Sequence, residues 1–270
     1  MTPSTVRVPI GRIDGRVTRW EEDLLAVEAP LEIRVGPRSL SVTMRTPGHD
    51  FELAAGFLLA EDIIGSASDI LEIAHADPNV VVVALSPNAL IKASALQRGF
   101  LMTSACGICG KVSLESLATN RCPVLPPSEL KIDAGAIHRL PHRLRARQDI
   151  FESTGGLHAA ALFNAQGELQ CLREDVGRHN AVDKLVGHAL LSFGTPLRNS
   201  VMLVSGRASF ELVQKASMAG VPLLAAVGAP SSLAVSEAER CGLTLIGFLR
   251  NGSFNVYGGT GCIGGLEEPQ

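Results

Sequence analysis

Between residues 157 and 257, short apolar runs alternate with stretches of helical period, and this alternation restricts the chain more than any other feature. Strands are predicted at 157–163, 169–172, 201–204, 223–227 and 243–249, with a further one at 254–257. Val182, Leu185, Val186, Ala189 and Leu190 mark a helix ending at Gly194, and helices are predicted over 208–219 and 231–241. That order means βαβ units and a mainly parallel sheet, with ligands taken at the loops between strands and helices. Composition agrees. Apolar residues make up 46% of the chain but aromatic ones only 4%, so the core is Val, Leu, Ile and Ala, as buried strands covered by helices require. The expected fold class is α/β.

The first half follows another pattern. Residues 23–28 read as an edge strand after a loose start, and 32–35 and 40–45 as a hairpin turned at Gly36-Pro37-Arg38. Asp50 stands as the N-cap of a helix carrying Phe51, Ala54, Ala55, Leu58 and Leu59 and ending by Gly65. A β-branched strand follows at 80–85, and 88–99 reads as helix or loop. Pro123, Pro126 and Pro127 can neither continue a helix nor donate to a sheet ladder. They set a boundary between a smaller α+β domain, 1–125, and the α/β domain, 126–270. Beyond it, Ile137, Leu140 and Leu144 give one side of an amphipathic helix kinked at Pro141, with Arg139, Arg143 and Arg147 on another. That row is either a solvated basic face or a set of cations beside an anionic ligand or partner.

A formal charge of −3 over 270 residues excludes a polybasic surface for nucleic acid or membrane. No apolar run approaches the ~18 residues of a membrane span, and no charged-then-apolar leader opens the chain, so a cytoplasmic protein is expected. Six cysteines without framework spacing agree with a reducing compartment.

Two of them, Cys106 and Cys109, stand among small residues, with Gly107 and Gly110 permitting a mobile loop. Lys111 and a helix expected from Val112, Leu114 and Leu117 favour thiolate over thiol. A structural zinc site lacks its second half, because Cys122, Cys171, Cys241 and Cys262 are scattered without paired spacing. A thioredoxin-type dithiol usually has an aromatic or proline beside or between its sulfurs, and this pair has neither. What remains is a thiol that receives or gives sulfur, or one merely exposed.

Three loops of the second half suit an anionic ligand. Arg173 to Asn180 opens a helix with Glu174, Asp175, Gly177, Arg178 and His179. Capping and dipole compensation explain the acids, whereas Arg178 and His179 in a first turn cost stability unless an anion sits nearby. Ser205, Gly206 and Arg207 follow a buried strand, where small residues let N–H groups approach a phosphate and Arg207 can clamp it. The Lys-Ser/Thr pair of a Walker loop is absent. Phe248, Leu249, Arg250, Asn251, Gly252 and Ser253 end the last long strand. An Asn-Gly turn explains them, and with the other two loops they suit a dinucleotide. Ser153-Thr-Gly-Gly-Leu-His158 leads into a strand, with His158 either a core histidine or a base.

These stretches together resemble the FdhD/NarQ family of formate dehydrogenase accessory sulfurtransferases, over about residues 20 to 258. The resemblance implies a cytidine-deaminase-like αβα sandwich for the C-terminal half and a cytoplasmic homodimer. It also implies that a cysteine desulfurase hands sulfane sulfur to the Cys106 and Cys109 loop. The sulfur then passes to the molybdenum, or tungsten, bis(molybdopterin guanine dinucleotide) cofactor of a formate dehydrogenase apoenzyme. By position, Cys106 would carry the persulfide, Cys109 would assist or share the transfer, and Phe248 to Ser253 would contact the guanine dinucleotide. Placing Arg178, His179, Ser205, Gly206 and Arg207 at that ligand rests on residue chemistry instead. No structural metal is expected. Two alternatives stay open: a cofactor-binding chaperone that transfers no sulfur, and a zinc-independent relative of nucleoside deaminases. A zinc deaminase needs His-x-Glu and Pro-Cys-x-x-Cys at two helix starts, where this chain has Gly177-Arg-His-Asn and Ser205-Gly-Arg-Ala-Ser.

Overall fold

The computed structural model describes residues 3–89, 102–103 and 122–265. The chain opens with an antiparallel hairpin of β1 (Thr5–Asp14) and β2 (Val17–Ala26), turned at Gly15. The sequence predicts only the end of β2. Ile13, Val17 and Trp20 are exposed, so no buried face imposes an apolar alternation on these strands. β3 (Ala29–Val35) and β4 (Arg38–Arg45) pair across the expected turn at Gly36, with Leu31, Ile33 and Val35 pointing inward at every second position.

α1 (Asp50–Ala60) follows, and its start differs from the expectation. His49, at φ 58°, takes the cap position and Asp50 becomes the first helical residue. The cause is Arg45, whose Nε and Nη2 donate to the two Asp50 carboxylate oxygens at 2.9 and 3.0 Å in a buried pair. β5 (Ile70–Asp77), β6 (Val80–Leu85) and β7 (Met102–Thr103) complete a sheet ordered β5-β6-β3-β4-β7 among the described residues.

β8 (Ile132–Asp133) leads into α2 (Ala134–Arg145), which runs through Pro141 and is capped by the Asp133 carboxylate accepting from Gly135 N at 2.7 Å. Then come α3 (Asp149–Thr154), β9 (His158–Phe163), β10 (Leu169–Asp175), α4 (Arg178–Ser192), β11 (Val201–Val204) and α5 (Phe210–Met218). β12 (Leu223–Ala226), α6 (Ser232–Cys241), β13 (Thr244–Arg250), β14 (Ser253–Gly258) and β15 (Ile263–Gly264) finish the described chain.

The central sheet is ordered β10-β9-β11-β12-β13-β14. It is mixed, which corrects the mainly parallel sheet expected from the alternation. β11 pairs with β12 and β12 with β13 in parallel, across α5 and α6, while the other three pairings are antiparallel. Tight turns are the cause. Asn164 and Gly167 close the β9–β10 hairpin, and Asn251 and Gly252, both at positive φ, close β13–β14; such turns join only antiparallel neighbours.

Helices cover both faces of this sheet. Ala160, Leu162, Met202, Val204, Leu224 and Ala226 belong to the core shared with α1, α4 and α5. Ala161, Phe163, Leu203, Leu223 and Ala225 meet Ile137, Leu140 and Leu144 of α2 on the other side. The first core also contains Leu31, Ile33, Leu53 and Leu58, so one apolar layer runs from the β3 sheet to the central one.

Within that layer α1 and α4 cross at two glycines. A Cβ on Gly56 would lie 1.9 Å from the Asp183 carbonyl oxygen, and one on Gly187 would lie 1.8 Å from that of Glu52. Gly187→Ala is therefore expected to lower the unfolding free energy by about 3 kcal/mol or more, read from urea titration. An unchanged midpoint would mean that the crossing has room to spare.

Candidate functional site

β10, β11, β12 and β13 run in one direction and β9 in the other, so four strand ends and the start of β9 meet at one edge of the sheet. Backbone hydrogen bonds lace the loops there. Ser205 N donates to Ala159 O, and Ser205 Oγ accepts from Ala159 N, both at 2.9 Å. Gly206 O accepts from Gly228 N at 2.9 Å, and Gly228 O accepts from Phe248 N at 3.0 Å. Glycine is needed at this contact, since a Cβ on Gly228 would stand 3.0 Å from Gly206 O.

Arg207 is exposed beside these loops. Phe248 sits at φ 53°, a costly region for an aromatic residue, and the Arg250 guanidinium lies 5.5 Å from its ring centroid. Arg250, Asn251, Gly252 and Ser253 are all exposed, with Ser253 Oγ donating to Arg250 O at 3.2 Å. Leu249 departs from the expectation. It is 1% exposed in the core on the α2 side with Ile246, put there by the irregularity between Gly247 and Arg250 that breaks the alternation of β13, and offers a ligand only its backbone.

The stretch from Arg173 to Lys184 is largely a clamp onto the first half. The buried Asp175 carboxylate accepts from Gly177 N at 2.8 Å and Thr46 N at 3.1 Å, and pairs with Lys184 Nζ at 2.7 Å. Asn180 Nδ2 donates to Met44 O at 2.7 Å, and its Oδ1 accepts from Thr43 Oγ1 at 3.1 Å. Arg173 grips both Glu52 oxygens at 2.5 and 2.8 Å. Burial opposes charge on Glu52, but Arg173 and His49 outweigh it and hold the pKa at about 2. Glu174 caps α3, accepting from Ile150 N and Phe151 N at 3.1 and 2.9 Å.

The two basic residues of the motif part company. His179 is 5% exposed, its Nε2 lying 3.3 Å from Ser209 Oγ and 3.8 Å from Glu211 Oε2. Against the expectation of an anion contact, it ties α4 to the start of α5. Arg178 stays at the edge, half-buried, with a buried Nε that has no hydrogen-bond partner.

His158 joins this edge from β9; a Cβ on Gly206 would lie 3.4 Å from its Nδ1. Burial first, then the charges of Arg178 and His179, push its pKa below the ordinary value, with Asp175 opposing. His158 and Ser205 also line a cavity of about 700 Å³ with Arg145, Gln148, Phe151 and Val227. Arg145 lies 4.1 Å from the Phe151 ring centroid and 2.8 Å from Glu152. The sequence directs attention to Arg139, Arg143 and Arg147 instead. Arg139 and Arg147 are exposed, and Arg143 donates to Gly167 O. Only the turn between α2 and α3 brings Arg145, Gln148 and Phe151 round to His158, and no spacing reveals it.

Cys106, Cys109 and the helix expected after Lys111 lie outside the described residues. Among the described residues, the cationic groups gathered at the edge are Arg178, Arg207 and Arg250. Among the described residues, the His, Cys, Asp or Glu cluster with ligand spacing is Cys122, Glu237 and Cys241 near the opposite edge.

A mixed sheet between helices, with glycine-built loops and arginines at its strand ends, defines an α/β protein suited to an anionic ligand. The chain belongs to the FdhD/NarQ family, whose model matches residues 26–263. It is 50% identical over 265 residues to the sulfur carrier protein FdhD of Streptomyces avermitilis, covering 94% of each. With the protein of that name from Mycolicibacterium paratuberculosis it shares 52% identity over 246 residues, 87% of this chain and 90% of the relative. A crystal structure named for a formate dehydrogenase accessory protein from Desulfotalea psychrophila matches it with a TM-score of 0.77 at 25% identity. That match spans 97% of this chain and 100% of the other.

The state of His158 gives the edge a pH dependence. The folded chain keeps the imidazole neutral at pH values where the unfolded chain, near 6.5, takes up a proton. Stability therefore rises with pH between the folded and unfolded values, and the contribution is lost as pH falls below about 6.5. Arg178→Gln should raise the His158 midpoint read by NMR, yet leave it under 6.5 because burial, the larger cause, persists. An unmoved midpoint would separate Arg178 from His158.

Proposed function

We propose that this protein carries sulfur for the maturation of a formate dehydrogenase. Cys106 takes sulfane sulfur from a cysteine desulfurase and passes it to a molybdenum or tungsten bis(molybdopterin guanine dinucleotide) bound at the sheet edge. The observation that carries this reading is the identity of about half the residues, over nearly the whole chain, with relatives named sulfur carrier protein FdhD.

The edge has groups that fit such a substrate. Arg178, Arg207 and Arg250 can meet diphosphate oxygens, the unpartnered Arg178 Nε being a donor in want of an acceptor. Ser205 and Gly206 allow close backbone approach, and the ring of Phe248 can stack on guanine. Helices on both faces of the central sheet support likeness of the C-terminal half to the cytidine deaminase sandwich. No helix among the described residues is long and apolar enough to cross a membrane. In this reading the protein works as a cytoplasmic homodimer.

The chemistry is thiol–persulfide exchange. The Cys106 thiolate attacks the outer sulfur of the donor persulfide, the donor S–S bond breaks and the donor thiolate leaves. Releasing that sulfur as sulfide consumes two electrons. Cys109 supplies them by attacking the Cys106 sulfur, which expels hydrosulfide toward the metal and leaves a disulfide that a thiol reductant reopens.

Incubation with a cysteine desulfurase and cysteine, followed by peptide mapping, should place added sulfur on Cys106. Cys106→Ser should bind guanosine diphosphate like the parent and lose activation of formate dehydrogenase. Full activation by that variant would mean a chaperone that holds the cofactor without transferring sulfur.

A further inference from the structure

A second pair of thiols lies far from the edge just described. Cys122 is 4% exposed, and Cys241, the last residue of α6, is fully buried. Their Sγ atoms and a Glu237 carboxylate oxygen all lie within 4.8 Å of one another. The backbones on either side are held together: Leu125 N donates to Cys241 O at 2.8 Å, and Ser217 Oγ donates to Pro123 O at 3.0 Å. Arg240 completes the cluster, Nη2 donating to Cys122 O at 3.0 Å, to Glu237 Oε1 at 2.7 Å and to Cys241 Sγ at 3.2 Å.

We propose that Cys122 and Cys241 form a redox pair which a small hydroperoxide converts to a disulfide, fastening residues 122–125 to the end of α6. The Arg240 guanidinium already touches two of the three ligand atoms, Glu237 Oε1 and Cys241 Sγ, so the cluster holds a cation of its own and suits thiol chemistry better than metal binding. Polarisation of the pair agrees. A hydrogen bond from Cys122 lowers the pKa of Cys241, with Arg240 adding to the effect, while the same bond and burial push Cys122 up. Of the two thiols, Cys241 gives up its proton more readily. Closing the pair to an S–S bond of ~2.05 Å brings together two sulfurs that already lie within 4.8 Å of each other.

The step balances as follows. Cys241 thiolate attacks one peroxide oxygen, the O–O bond breaks, and the departing hydroxide takes the proton that the thiol had released, giving water and a Cys241 sulfenic acid. Cys122 sulfur then attacks the Cys241 sulfur, an S–S bond forms and the S–O bond breaks. The hydroxyl leaves with the Cys122 proton as a second water. The two thiols lose two electrons, and the peroxide gains them.

Burial sets the pace, because the oxidant reaches these sulfurs only through local opening. The test uses the full-length chain, treated with hydrogen peroxide while folded, then quenched, unfolded, alkylated and mapped under non-reducing conditions. The expected product is a peptide pair joining Cys122 to Cys241, lighter by two hydrogens and separated again by dithiothreitol. Cys122→Ser should instead leave Cys241 as a sulfenic or sulfinic acid that no thiol resolves. Recovery of both cysteines as alkylated thiols after peroxide has oxidised the half-buried Cys171 would overturn the proposal, as would stoichiometric zinc lost on Cys241→Ser.

Discussion

Asp175 and Lys184 meet at 2.7 Å with almost no exposure, and two charges withdrawn so completely from water survive only if their remaining bonding capacity is filled. Here it is filled from both halves of the chain. Thr46 N and Gly177 N donate to the carboxylate, and Lys184 donates in turn to Thr46 O at 2.8 Å. The end of β4 and the beginning of α4 are therefore fixed relative to each other by the same few atoms. Because Arg178 follows directly, the orientation of the functional edge depends on a residue, Thr46, more than a hundred positions upstream.

Apolar packing supplies what this pair cannot. The crossing of α1 over α4 at Gly56 and Gly187 brings carbonyl oxygens to distances that admit no side chain, and Glu52 at the start of α1 receives Arg173 from β10. Glycine and ion pair act on the same two elements, one setting their separation and the other their rotation. His179 extends the arrangement into α5 through Ser209. Among the described residues, Arg178, Arg207 and Arg250 are left at the sheet edge without an ion-pair partner.

Much of this could be read from the sequence, for reasons that differ by element. The strands and helices from β9 to β14 were legible because both faces of the central sheet are buried, which leaves uninterrupted apolar runs such as Val201 to Val204. The Gly36 turn was legible from its dipeptide. Strand direction was not, since nothing in β9 or β14 records which neighbour it will face; the Asn-Gly turn fixes only the direction of β14 against β13. Leu249 was expected at the ligand as part of the Phe248–Ser253 motif and His179 as half of a basic pair at a helix start, and only the irregularity in β13 and the packing of α5 turn them inward. Cys122 and Cys241 looked scattered because chain separation hides spatial contact. The β1–β2 hairpin escaped for the opposite reason, having little buried surface to pattern it.

A double-mutant cycle on the buried pair measures most directly whether it holds the halves together. Asp175→Asn and Lys184→Met, each alone, should cost about 3–5 kcal/mol of unfolding free energy in urea, because each strands the other's polar group. Together they should cost far less than the sum, giving a coupling of about 2 kcal/mol or more. Additive losses would contradict this, and would assign the joining of the two halves to apolar packing alone.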